Sequence, residues 1–208
     1  AVDAASRNDG TALYNLMIET IKRNPRVDRY RITYSQTNLA LANAIAQKKD
    51  ITDQDRQTIT ALVQQAIREG QAAVALNRES AVNWENLANI YRALIPFAQG
   101  ADQWAATSYQ QAVALDVVNP ILRIALGGVH YGAGRYDEAI RSFELATLAK
   151  PDLANAHYNL AAALREKGDQ GSLERAVKEM EQVLALVQPG TQDYETAQRE
   201  LENLKSKL

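Results

Sequence analysis

Residues 83–94, NWENLANIYRAL, place Trp84, Leu87, Ala88 and Tyr91 at i, i+3, i+4 and i+7, the spacing of one face of an α-helix. Asn86 and Asn89 lie three residues apart on a second face. Comparable helical spacing runs along the chain, and valine and isoleucine nowhere alternate with polar residues over a long run. The pattern predicts an all-α chain. TALYNLMIETIKRNP (11–25) reads as a lone helix closing at Pro25. After Pro189-Gly190, TQDYETAQRELENLKSK (191–207) reads as a polar helix with Thr191 as N-cap, its acids early and its lysines late, as the helix dipole favours.

The spacing also repeats over longer distances. Leu87, Leu126 and Leu160 align, each followed by a small residue: Ala88, Gly127 and Ala161. Downstream, Ala105, Ala139 and Ala176 are followed four residues on by Tyr109, Phe143 and Met180, and then by Ala112, Ala146 and Val183. A fainter copy precedes these, with Leu39-Ala40 in its first half and Ala66, Gly70 and Ala73 in its second. Trp84, Leu87, Ala88 and Tyr91, with Gly134, Tyr136, Ala139, Phe143, Ala146 and Pro151, resemble the tetratricopeptide repeat (TPR), W-x2-L-G-x2-Y followed by A-x3-F and a closing Pro.

The resemblance implies one elongated domain of about ten helices, a right-handed α-solenoid of four A/B helix pairs with a helix at either end. Its small residues let backbones approach, and stacking is obligatory because no repeat buries its own apolar face. The frame gives a half-repeat helix over 9–29, repeats over 33–80, 81–119, 120–153 and 154–190, and a capping helix over 191–208. Arg78, Val117 and Gln188 stand at the other closing-Pro positions. Repeat one carries about fourteen extra residues, so its helices should be longer, with Thr52 or Asp53 capping the second. Repeat two carries about five more at 95–99, where Pro96 should end its A helix. Repeat four carries three more at 170–172, expected to lengthen the turn after Gly168.

In such repeats the A helices line a concave groove, and the residue before the motif leucine points into it. Here that set is Asn38, Asn86, Ala125 and Asn159, which resembles the asparagine ladder with which some TPR proteins hold a peptide backbone. An amide offers a donor and an acceptor together, as a peptide does. The competing expectation is that these amides bond water or the adjacent helix. The frame adds Tyr34, Thr37 and Leu41; Val82, Glu85, Asn89 and Arg92; Ile121, Ile124, Gly128 and Tyr131; and Asn155, Tyr158, Ala162 and Arg165. The middle is apolar, flanked by Arg92 and Arg165, and suits a partner segment with one or two apolar anchors at an affinity on the order of micromolar. These apolar groups could equally pack on a neighbouring helix or a second copy. The carboxylate clamp of chaperone-binding TPR domains does not fit: Asn86 and Asn89 match two of its positions, but Glu85, Ile121 and Ala125 stand where its cations belong.

The chain has 208 residues and a net charge of −2, so no global field recruits nucleic acid. It has no cysteine, and its two histidines, His130 and His157, occupy motif core positions without a third ligand in register, so no metal or other cofactor is expected. LGGVHYGAG (126–134) lacks a P-loop lysine, and no nucleophile elbow occurs, so an enzyme is not expected. KRNPRVDRYR (22–31) is basic; it suits a helix C-terminus, or acidic partners and anionic headgroups. The chain opens at Ala1 without a methionine, as a processed or excised piece would. The function expected is a non-catalytic interaction scaffold holding a partner peptide. The alternatives are an extracytoplasmic accessory domain of a larger bacterial membrane protein, such as an envelope-glycan polymerase or ligase, and a self-association module.

Overall fold

The computed structural model describes residues 10–208; the expected helix start at residue 9 lies outside them. The described residues form ten α-helices and no strand. They divide into two compact units, one ending at Leu115 and the other spanning Asp116–Leu208.

The first unit contains α1 (Gly10–Arg23), α2 (Asp28–Ala46), α3 (Asp53–Leu76), α4 (Ala81–Leu94) and α5 (Ala101–Leu115). Each helix packs on the next in sequence up to α5, and α2 also meets α4. The long first repeat takes the form expected, with 19 residues in α2 and 24 in α3. Thr52 begins α3 with a capping box: its hydroxyl accepts from the Asp55 N–H, and the Asp55 carboxylate accepts from the Thr52 N–H. Helix α4 stops at Leu94, before Pro96. Helix α2, however, starts at Asp28 rather than at 33. Asp28 sits in its first turn, where a carboxylate is favoured, and accepts from the Asn83 Nδ2 at 2.9 Å. This start divides the basic stretch between two helices. Within it, Lys22 pairs with Glu19 and Arg31 with Glu69.

The second unit contains α6 (Pro120–Gly132), α7 (Tyr136–Ala149), α8 (Ala154–Lys167), α9 (Gln170–Leu186) and α10 (Gln192–Lys205). Its core joins Ala139, Ile140 and Phe143 of α7 to Leu160, Ala161 and Leu164 of α8, Ala176 and Met180 of α9, and Ala197 and Leu204 of α10. Small residues set the approach distance. A Cβ on Gly127 would lie 2.5 Å from the Phe143 ring, so that ring occupies the space a side chain would need. Residues 170–172 do not lengthen the turn as expected. Asp169 accepts from the Ser172 N–H at 2.9 Å and caps the helix, so the three residues form the first turn of α9. Helix α10 is capped by Thr191, as its sequence predicts.

One device recurs with three different side chains. At the motif tryptophan position, the Trp84 Nε1 donates to the Arg78 carbonyl at 2.8 Å and the Arg123 Nη2 donates to the Val117 carbonyl. The His157 Nε2 lies 2.9 Å from the Pro151 carbonyl. All three bonds span six residues and satisfy the carbonyl at the closing-Pro position, so each ties a repeat to the turn before it. His157 also places its Nδ1 2.7 Å from the Glu179 carboxylate, and His130 receives a bond from the Arg135 Nε at 3.1 Å.

Candidate peptide-binding surface

The asparagine face of the first unit is turned inward. Asn38 is fully buried, and its Nδ2 donates to the Tyr34 carbonyl of its own helix at 2.7 Å. Asn86 is buried as well; its Nδ2 donates to the Ser35 Oγ at 3.0 Å and its Oδ1 accepts from the Gln36 Nε2 at 3.1 Å. The expected ladder is therefore corrected at both positions. At Asn86 helices α2 and α4 run close enough for a short amide to span them, so it is consumed by the neighbouring helix, whereas the Asn38 amide is consumed within its own helix. Asn83 likewise donates to the Ala73 and Asn77 carbonyls, and the half-buried Asn89 accepts from the Tyr109 hydroxyl at 2.6 Å. Tyr34 is another correction: α1 covers it, with Tyr14 5.3 Å away between ring centroids, and burial pushes its phenol pKa up. Val82 and Arg92 remain exposed.

The second unit keeps more of the predicted residues at the surface. Ile121 is 55% exposed, while Ile124, Tyr131 and Tyr158 are half-buried with one side against the unit's core. Tyr131 also meets the edge of Tyr136, at 5.8 Å between centroids. A side chain on Gly128 would meet nothing within 4 Å, so the surface is open there. Asn155 is exposed, and Asn159 bonds back to it, donating to its carbonyl at 2.7 Å. Asn159 thus works within its own helix. Arg165 is not a free cation: it donates to Glu200 at 2.7 Å and to Glu166 at 3.0 Å, which ties α8 to α10. Hydrogen bonding to Glu166 and the charge of Glu200 outweigh desolvation and hold its pKa up.

The repeat frame did not reach one feature. Asn155 and Tyr158 open onto a cavity of about 470 Å³ completed by Val183 and Val187 of the α9 end and by Asp193 and Thr196 of α10. The available signal was in the alignment, where Val183 and Val187 stand at the positions of Ala146 and Lys150 in the preceding repeat. Among the described residues, no group of three or more His, Cys, Asp or Glu could hold a metal ion. No helix among them is long and apolar enough to cross a membrane.

The tetratricopeptide-repeat family model matches residues 103–152 and again 124–188. The crystal structure of MamA is similar, with a TM-score of 0.68 at 20% identity over 88% of this chain and 86% of that one. TTC0263, a TPR protein of Thermus thermophilus, gives 0.60 at 18% identity over 99% of this chain and 95% of that one. The first TPR of Spaghetti (RPAP3), bound to the HSP90 peptide SRMEEVD, gives 0.51 at 23% identity over 61% of this chain and 90% of that one. A comparison with curated proteins finds no match.

Proposed function

Because the chain is a tetratricopeptide-repeat protein, we propose that it is a non-catalytic interaction scaffold that binds an extended partner segment on the A-helix face of its second unit, formed by α6 and α8. The observation that carries this reading is the apolar row of Ile121, Ile124, Tyr131 and Tyr158, part of whose surface stays in water. The polar groups beside it, Asn159 and Arg165, already have partners. Such a face gains by covering apolar area, and neither Asn159 nor Arg165 needs a partner from outside. It suits a segment with one or two apolar anchors. It does not suit an acidic tail, because Arg165 is already neutralised by two carboxylates.

The experiment is peptide display against the 208-residue protein, followed by affinity measurement with Ile121→Glu and Ile124→Glu. Ile121 is mostly exposed, so its replacement leaves the fold intact. Both variants should weaken the selected peptides at least ten-fold, and SRMEEVD should not bind. If every selected peptide binds the Ile121→Glu protein as it binds the parent, the face is not the site.

A further inference from the structure

We propose that the cavity between α8, α9 and α10 seats an arginine side chain of the partner segment. This rests on the reading of the second unit as a peptide-binding face and names the chemistry of that partner. The wall is apolar: Val183 and Val187 stand where the preceding repeat has Ala146 and Lys150, so a cation has given way to a valine. Tyr158 adds an aromatic surface, and its hydroxyl bonds no other described residue. The lining also includes Asp193, Asn155 and Thr196 and no cation.

Asp193 decides the ligand. It is exposed and forms no ion pair or hydrogen bond among the described residues. Thr196 is already engaged, donating to the Gln192 carbonyl at 2.8 Å, and Arg199 is held back along α10 on the Glu195 carbonyl and the Thr196 hydroxyl. The cavity is therefore lined by apolar side chains, an aromatic ring and one unpaired carboxylate. An arginine matches all three. Its methylene stem covers the valines, its guanidinium plane lies on the tyrosine ring, and its fork meets the carboxylate. Leucine would fill the wall and leave Asp193 alone, and glutamate would be repelled.

The probes are the acetylated, amidated pentapeptides AARAA, AALAA and AAEAA, titrated into the isotopically labelled 208-residue protein and followed by NMR. AARAA should move the amide signals of Tyr158 and Thr196 saturably, AALAA should bind at least five-fold more weakly, and AAEAA should not bind. Asp193→Asn should weaken AARAA about ten-fold and leave AALAA unchanged. Val187→Lys, which restores the preceding repeat's residue, should abolish both. Equal binding of AARAA to the parent and the Asp193→Asn protein overturns the proposal, as do shifts centred outside the cavity. Display-selected peptides that depend on Ile121 but show no basic residue and ignore Asp193 would overturn the arginine pocket while keeping the peptide-binding face. Peptides indifferent to Ile121 would remove that face itself.

Discussion

Gly127 and Gly128 are consecutive residues in the middle of α6, and their environments are opposite. A Cβ on Gly127 would come 2.5, 2.7 and 2.8 Å from three atoms of the Phe143 ring, which is 1% exposed and fixed in the core. A Cβ on Gly128 would meet nothing within 4 Å. Alanine at either position gains about 1 kcal/mol of helix propensity over glycine. At Gly127 it also forces the ring or the helix to shift, an overpacking cost of roughly 1–3 kcal/mol. Gly128→Ala should therefore stabilise the protein by about 1 kcal/mol, whereas Gly127→Ala should range from neutral to about 2 kcal/mol destabilised. The difference between the variants, about 1–3 kcal/mol, isolates the packing cost because the propensity gain is common to both. Urea denaturation followed by circular dichroism at about 222 nm measures it, provided the m-value is unchanged. Equal stabilisation by both alanines would refute the idea that a missing side chain lets α6 and α7 nest.

Asn86→Ala should cost about 1–3 kcal/mol by stripping Ser35 and Gln36 of their shared partner, and should leave the affinity of display-selected peptides unaltered; a stable variant that loses peptide binding would return Asn86 to the groove. Trp84→Phe keeps a ring but removes the donor to the Arg78 carbonyl, and should lower stability by about 0.5–1.5 kcal/mol in a melt monitored by circular dichroism. Asp55 provides a pH test. Bonds from Lys48 and Thr52 hold its carboxyl down at about 2, against an unfolded value of about 3.9. Its contribution is full above the unfolded value and disappears as pH falls through the folded one. Asp55→Asn should therefore flatten the stability profile between about pH 4 and pH 2, and an acid titration at fixed urea that matches the parent there would contradict the capping box.

The helices and most of their ends were legible because they depend on neighbours a few residues apart; the start of α2 at Asp28 was not. Thr52, Pro96 and Thr191 act within one turn, and the recurring leucine-small pairs announce the stacking. Residues 170–172 were misplaced because a three-residue insertion fits a turn or a helix equally well. Only the Asp169 bond to the Ser172 N–H selects the helix. The cavity escaped the repeat frame because only Asn155 and Tyr158 are A-helix positions that the frame tracks; Val183, Val187, Asp193 and Thr196 come from the end of a B helix and the start of the cap.

The asparagines mark the boundary between the two kinds of information. That Asn38, Asn86 and Asn159 occupy one motif position follows from periodicity alone, as does the all-α architecture, since both rest on short-range spacing. What each amide bonds is a different matter. Asn86 finds partners 50 and 51 residues away, while Asn159 finds its partner four residues away on its own helix. The choice depends on how closely the adjacent helix approaches. That distance is set jointly by side chains scattered over several helices, so it exists only once the repeats have packed.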